Sequence, residues 1–406
     1  MDWDDNAEEA AFRSEVRTLI GRRLPTYYRD RSVQLRRRTH RPWQGDRIAL
    51  EPERQEAAHA WREALVERGW VAPHWPAEYG GAGLTVREQF ILNQEMALAD
   101  APDIGGLGTQ MIGPTLIVHG SDEQKRRHLP EVLAGRVIWG QGYSEPGAGS
   151  DLASLQTRAV RDGDEYVVNG QKIWTTLAHQ ADWLFVLTRT DTDAPKHRGI
   201  SLLLMDRATP GISIRPLVNM ADHHIFNEVF FEDVRVPAEN VVGEENRGWY
   251  VAMTLLDFER SNVAGGVRAK AQIRLILDEA RGREQASGRR LALPVRGLLA
   301  DRYIDTEVVQ QLSARIASIQ ARGLVPNYEA SMGKLFASEL SQKIAIAMAK
   351  ALGLYSQLTD ADEPRTPLHG YVGYQYMESV SSTIRGGTSE IQRNVIATRG
   401  LGLPRS

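Results

Sequence analysis

The sequence predicts an α+β chain built as three consecutive units: helical, then β, then helical. Three observations carry that expectation. The 406 residues exceed what one ordinary core holds. Apolar residues recur at helical spacing up to about residue 135 and again from Asn246 onward. Between those stretches the chain turns to short alternating and β-branched runs. The units are expected at 1–135, 136–245 and 246–406.

In the first unit, Ala57, Ala58, Trp61 and Leu65 mark one face of a helix over Gln55 to Trp70, with Gly69 as its stop. The prolines and glycines of VAPHWPAEYGGAG then interrupt any regular element. Arg36-Arg37-Arg38 reads as a solvated helix face rather than a phosphate contact, since charge runs are usually that. In the second unit, Tyr166-Val167-Val168, Asn169-Gly170 and Lys172-Ile173-Trp174 predict a hairpin, because Asn-Gly supplies the positive φ angles of a type I′ turn. Trp183 to Thr188, Ile200 to Met205 and Glu228 to Val236 are the further strands expected. In the third unit, Ile304, Val308, Leu312, Ile316 and Ile319 form one apolar stripe, and Leu335, Phe336, Leu340, Ile344, Met348 and Leu352 another. Stripes of this kind are the core of a bundle.

Composition excludes several functions. With 49 Lys+Arg against 52 Asp+Glu, the net charge of −3 gives no reason to expect nucleic acid. There is no cysteine, so disulfides, thiolate catalysis and cysteine metal sites drop out. His223-His224 lacks the spacing and carboxylate partners of a zinc site, and no metal is expected. The acidic start MDWDDNAEEAAF is unlike a signal peptide, and no apolar run reaches the roughly 18 residues of a membrane span. A cytoplasmic protein without membrane association is the expectation.

Two segments carry possible chemistry. In Gln141 to Asp151, QGYSEPGAGSD, two glycines one residue apart let the backbone approach a ligand, and Ser144 and Ser150 add hydroxyl donors. The strand–GxGxxG–helix context of a dinucleotide fold is missing, so no Rossmann unit is expected. In Trp174-Thr175-Thr176, an indole could cover a flat heteroaromatic ring while a threonine hydroxyl meets its edge. Taken alone, the first segment reads more readily as a plain turn and the second as a core tryptophan.

Together the pieces are specific. YSEPGAGSD, then VNGQKIWTT, then RGGTSEIQRNVIATRGLGLP at the C-terminus resemble the acyl-CoA dehydrogenases, and the resemblance spans essentially the whole chain. It implies the fold of that family: a helical N-terminal domain, a β-barrel or sandwich and a C-terminal four-helix bundle. It implies FAD held by the loop residues Gln141, Tyr143, Ser144, Gly149 and Ser150, with Trp174 and Thr176 against the flavin ring. Gly353, Thr388 and Glu390 match C-terminal positions that complete the cofactor site across a subunit boundary, which implies a dimer of dimers.

The family chemistry needs a base for the proton α to a thioester carbonyl and a site for the resulting oxyanion. Many members carry a glutamate just before the Gly-Thr-Ser of the C-terminal motif; here that position is Gly386. Isovaleryl-type and long-chain members carry the glutamate in a segment like LDLER instead. This chain has Leu256-Asp257-Phe258-Glu259-Arg260, and the resemblance makes Glu259 the base. At Gly386 the family's backbone N–H contact to the thioester carbonyl can survive without the side chain. The expected reaction is dehydrogenation of a branched or bulky acyl-CoA to the trans-2-enoyl-CoA, with electrons passing to an electron-transfer flavoprotein.

The carrier could equally be acyl carrier protein. The DFERS and RGGTSEIQRN segments also resemble actinobacterial dehydrogenases of steroid side chains, several of them heterotetramers. Homotetramer and heterotetramer with a homologous subunit therefore both stand. The competing functions are a flavin oxidase or monooxygenase on the same fold, and a binding or assembly subunit. Arg283, Arg289 and Arg290 lie where an arginine reaches a partner's cofactor in many members, without the usual Phe-Gly pair to fix the alignment.

Overall fold

A computed structural model of the chain describes residues 5–30, 33–35, 42–259, 263–288 and 290–404, without the side chains of residues 42, 254–259 and 263–264. Arg36-Arg37-Arg38 lies outside the described residues.

The N-terminal helices start where capping chemistry starts them. Asn6 and Glu9 exchange side-chain and backbone hydrogen bonds at 2.9 and 3.0 Å to open Ala7–Arg23, and Thr85 with Glu88 opens Val86–Leu98 in the same way. The helix Pro52–Val66 buries Ala57, Ala58, Trp61 and Leu65, the stripe the spacing predicts, and Gly69 turns the chain at φ +67°. A short helix, Pro42–Arg47, is held against this layer by the Trp43 indole N–H, which donates to Ala58 O at 2.8 Å, and by Arg54 on Asp46 at 3.0 Å. Between Gly108 and Ile112 the backbone widens into a π-turn that runs into the helix Gly113–His119. The Trp75 ring causes the close packing there. Its N–H donates to Thr109 O at 3.0 Å, and a Cβ on Gly113 would meet the ring at 1.9 Å.

The middle unit is one seven-stranded sheet: β1 (Trp139–Gly142), β2 (Arg158–Asp162), β3 (Glu165–Lys172), β4 (Trp183–Arg189), β5 (Ile200–Asp206), β6 (Ile212–Val218) and β7 (His224–Pro237). Its order is β1-β4-β2-β3-β7-β6, with β5 paired to β4. β4 and β5 are buried along almost their whole length, as strands covered on both faces are. The Asn-Gly hairpin is not there. β3 runs straight through Asn169 and Gly170, and the turn lies earlier, where Asp162 pairs with Glu165 across Gly163 and Asp164. Asn169-Gly170 is instead a bulge against β7. Asn169 exchanges hydrogen bonds with Asp233 at 2.9 and 3.0 Å, and a Cβ on Gly170 would meet Thr157 Cα at 2.7 Å.

The C-terminal unit packs four helical layers: Val263–Ser287, Leu293–Gln320, Tyr328–Leu352, and the pair Tyr371–Ser379 and Ser389–Val395. Leu340, Ile344, Met348 and Leu352 are buried as their stripe predicts, but Ile304 and Val308 are 62 % and 38 % exposed. Ile316 and Ile319 of that stripe are buried, and toward the start of the helix the buried face runs through Leu299 and Val309 instead. This unit docks on the β6–β7 turn, where Asn219 donates to Glu378 at 3.2 Å and His223 lies 4.9 Å from the Tyr374 ring. The order helical, sheet, helical is the one expected from the sequence.

Candidate active site

The loop after β1 is set by buried charge. Lys172, at the end of β3, is fully buried and pairs with Glu145 at 2.7 Å while donating to Tyr143 O at 3.1 Å. Glu145 also accepts the backbone N–H of Gln156 at 2.6 Å and of Thr157 at 2.8 Å. Burial pushes the Lys172 ammonium down to about 8, against the pull of Glu145. Burial pushes Glu145 up, but Lys172 and the N–H donors overcome it and hold the carboxylate below its ordinary value. Arg189, buried on β4, closes the far end of the loop by donating to Ala153 O at 2.6 Å and Lys196 O at 2.8 Å.

On this frame Gln141 and Tyr143 sit along the β1 edge, and Gly149 and Ser150 form the exposed loop tip with open space beside the glycine. Ile173 N–H donates to Ser144 O at 2.9 Å, which ties the loop to the segment leading into Trp174. The two sequence motifs are thereby brought together.

Trp174 stands 58 % exposed at φ +60°, edge-on to Phe226. Left-handed backbone at a tryptophan is strained and needs its surroundings to hold it. The fully buried Asn227 does so. Its backbone O accepts Thr175 N–H at 3.1 Å and its amide donates to Thr175 O at 3.0 Å. Its Oδ1 meets His224 at 2.7 Å and His179 at 3.3 Å, two rings that stack at 4.0 Å. Thr176 lines a small cavity between the sheet and the N-terminal helices.

The C-terminal residues group differently. Gly386 and Gly387 have φ of +65° and +85°, and a Cβ at Gly386 would meet nothing within 4 Å. Lys334 donates to Gly387 O at 2.5 Å, and Gln392 to Gly386 O at 3.2 Å. Arg385 pairs with Glu378 at 2.8 Å, the same carboxylate that Asn219 reaches from the sheet. Thr388 caps the helix Ser389–Val395 by accepting Ile391 N–H at 3.2 Å. The exposed Glu390 is held below the ordinary carboxylate value by its own backbone N–H and the Thr388 hydroxyl.

Gly353 is elsewhere. It ends the helix Tyr328–Leu352, whose other end carries Lys334, so the two lie about 28 Å apart at 1.5 Å per residue. One chain does not bring Gly353 together with Thr388 and Glu390.

Glu259 is the last residue of the helix Gly248–Glu259, and its side chain lies outside the described residues, as does Arg260. That helix packs on β5, the π-turn and the helix Gly113–His119. Gly248 permits this seating, since a Cβ there would meet Leu202 N at 2.5 Å. Of the three arginines, Arg283 pairs with Glu279 and Arg290 with Glu284, and Arg289 lies outside the described residues.

Sequence reasoning missed the supports: Glu145, Lys172, Asn227, Lys334 and Gln392. Period-2 counting on β3 from Tyr166 and Val168 reaches Lys172, an inward lysine, and was the available signal. The ensemble suits a flat heteroaromatic cofactor. It offers an indole fixed outward, a hydroxyl-bearing loop with an open glycine, and the buried Thr175 hydroxyl without a hydrogen-bond partner beside them.

Family profiles described as acyl-CoA dehydrogenase N-terminal, middle and C-terminal domains match residues 6–136, 140–234 and 246–401. Acyl-CoA dehydrogenase IpdE1 of Mycobacterium tuberculosis (strain ATCC 25618 / H37Rv) is 38 % identical over 360 residues, covering 87 % of this chain and 90 % of that protein. Acyl-CoA dehydrogenase FadE26 of the same strain is 37 % identical over 379 residues, covering 88 % and 94 %. Among solved structures, the Tcur3481-Tcur3483 steroid ACAD matches with a TM-score of 0.85 at 32 % identity, over 100 % of both chains. The ChsE4-ChsE5 complex from Mycobacterium tuberculosis matches with 0.81 at 35 %, again over 100 % of both.

Proposed function

This chain belongs to the acyl-CoA dehydrogenase family, and from that premise we propose that it converts a branched or bulky acyl-CoA to the trans-2-enoyl-CoA, with FAD as cofactor and Glu259 as base. The observation that supports this most directly is Trp174, an indole fixed outward on strained backbone by Asn227, next to the serine-bearing loop.

Tyr143, Ser144, Gly149, Ser150, Trp174 and Thr176 would hold FAD, with Gln141 on the strand beneath them. When bound, FAD supplies the acceptor for the hydride leaving the β carbon. Glu259, the last residue of a helix that packs on β5 and on the N-terminal helices, takes the α proton. Gly386 N–H binds the thioester oxygen, in a loop whose carbonyls are fixed by Lys334 and Gln392. The open space at Gly386, where many relatives carry a carboxylate, supports the bulkier acyl group.

The roughly 28 Å along the helix from Gly353 to Lys334, which donates to the Gly387 carbonyl, supports a site completed by a second chain, in a homotetramer or with a homologous subunit. The names of the steroid ACAD and of the ChsE4-ChsE5 complex favour steroid-type substrates and a heteromeric assembly for this chain as well. An electron-transfer flavoprotein is the acceptor we assign.

Anaerobic addition of an acyl-CoA panel to the wild type and Glu259→Gln, followed by flavin absorbance, tests the reading. The wild type should bleach with a bulky thioester while the variant binds it and stays oxidised. A variant that bleaches at the wild-type rate removes Glu259 from its role. Hydrogen peroxide release in air would make the chain an oxidase instead.

A further inference from the structure

Two adjacent glycines have the greatest backbone freedom, so Gly386-Gly387 keeps one shape only where something outside it holds its peptide groups. Their φ angles of +65° and +85° have the sign that both central residues of a type I′ turn require. The hold comes from the helix Tyr328–Leu352. Lys334, Ser338 and Gln342 recur every four residues and so form one polar stripe along it. Gln342 donates to Val380 O at 3.3 Å and to the Thr383 hydroxyl at 3.1 Å. Ser338 O accepts the Ser382 hydroxyl at 3.0 Å. Lys334 donates to Ser382 O at 3.3 Å and to Gly387 O at 2.5 Å.

Lys334 differs from the other two in its reach and in its charge. Its ammonium ties both ends of the segment 382–387, so the Gly386 N–H lies within a loop closed by one cation. Gln392 adds a neutral donor on Gly386 O. The ammonium is half-buried, and burial and Arg385 push it down from the ordinary lysine value against the pull of Glu390. A neutral donor would hold the carbonyls without that cost, but a charged one holds them roughly twice as strongly. Amides fixed beforehand need no reorganisation when charge develops on the oxygen they bind.

Resting on the reading above, in which Gly386 N–H binds the thioester oxygen, we infer that Lys334 is a positioning residue. Its ammonium fixes the Gly386-Gly387 turn in the orientation that stabilises the enolate-like oxygen, and so sets how readily the bound thioester gives up its α proton.

The test uses the flavin-loaded protein and 3-thia analogues of the acyl-CoA panel, in which sulfur replaces the β carbon. Their α proton can leave but no hydride can follow, and the resulting enolate against oxidised flavin absorbs at long wavelength. The pH midpoint of that band reports the acidity of the bound thioester. Lys334→Met should raise the midpoint by about one to two units, a roughly ten- to hundredfold weaker acid. The Kd for the saturated acyl-CoA, measured by calorimetry, should change far less. Lys334→Arg, which keeps the charge, should recover most of the shift. Gln342→Leu loosens the same segment away from the glycines and should leave the midpoint unchanged, whatever it does to the melting temperature. Should Lys334→Met fail to fold with flavin, Lys334→Gln, which keeps a donor and drops the charge, carries the same expectation. A wild-type midpoint in the uncharged variants, or an equal shift in Gln342→Leu, overturns the inference. The dehydrogenase reading stands in that case if the wild type still forms the band and bleaches with a saturated acyl-CoA. If the wild type does neither, both fall together.

Discussion

The wall of the candidate site that the middle sheet would contribute differs from the wall proposed for the C-terminal helices in how much of each is finished inside one chain. On the sheet side every functional segment has a buried support: Lys172 and Glu145 under the loop, Arg189 at its end, Asn227 under the Trp174 turn. On the helix side, Gly353 at a helix end and Gly386 in the turn before Ser389–Val395 have open space around a would-be Cβ, and Leu354 and Tyr355 beside Gly353 are 81 % and 50 % exposed. The first wall is fixed by folding, and its residues should reveal themselves as stability changes. The second is presented by folding, and its residues should reveal themselves in binding and assembly.

The largest break in that contrast is expected at Lys172. Lys172→Met strands Glu145 as a buried charge and should cost about 3–5 kcal/mol in chemical denaturation. Adding Glu145→Leu should recover part of the loss, and only part, since the N–H groups of Gln156 and Thr157 then lack their acceptor.

His128 comes next. It is buried against Trp139 at 5.2 Å and Trp183 at 4.8 Å, and burial, helped by Arg127, pushes it down to about 4. Between its ordinary value near 6.5 and about 4, the unfolded chain binds a proton that the folded chain does not. Stability therefore falls as pH is lowered through that window, by about 3 kcal/mol at most. Melting curves of His128→Phe should be flatter than wild type from pH 7 to 4, and parallel curves would refute the assignment.

On the open wall the effects should be smaller and of another kind. Gly353→Ala, at φ +60° and ψ −139°, should cost about 1–2 kcal/mol by thermal melting. It should lower flavin retention and tetramer content further than that cost explains. Ser150→Ala at the exposed loop tip should leave the melting temperature unchanged, within about 0.5 kcal/mol, and still weaken flavin binding measured by dialysis. A large stability loss at either position would erase the distinction between the walls.

The same contrast governs what could be read from the sequence. The loop and the Trp-Thr-Thr segment are contiguous, so their chemistry was visible as strings, and the helix stripe of Ala57 to Leu65 needed only local spacing. Asn169-Gly170 was misread because its bulge depends on Asp233, 64 residues away, which no local turn rule contains. Lys172 and Glu145 escaped because a polar residue beside an assumed turn gives no reason to ask for a buried partner 27 residues back. Ile304 and Val308 have helical spacing but not burial, since the helix turns a different face to its neighbours.

The π-turn at Gly108–Ile112 bears on which changes of gene length this chain can absorb. Such a turn holds one residue more than an α-turn. Losing a single codon there would restore ordinary winding and leave the residues downstream on the faces they already present, because the wider turn spreads five residues over the arc of about four. Ile112 and Leu116 would keep their side of the helix, and the local loss would be the carbonyl that Thr109 offers to the Trp75 indole. The same in-frame loss within the regular helix Pro52–Val66 would rotate everything downstream by about 100° and carry its buried stripe out of the core. Deleting a residue at the π-turn should therefore do less damage than deleting one in the middle of that helix.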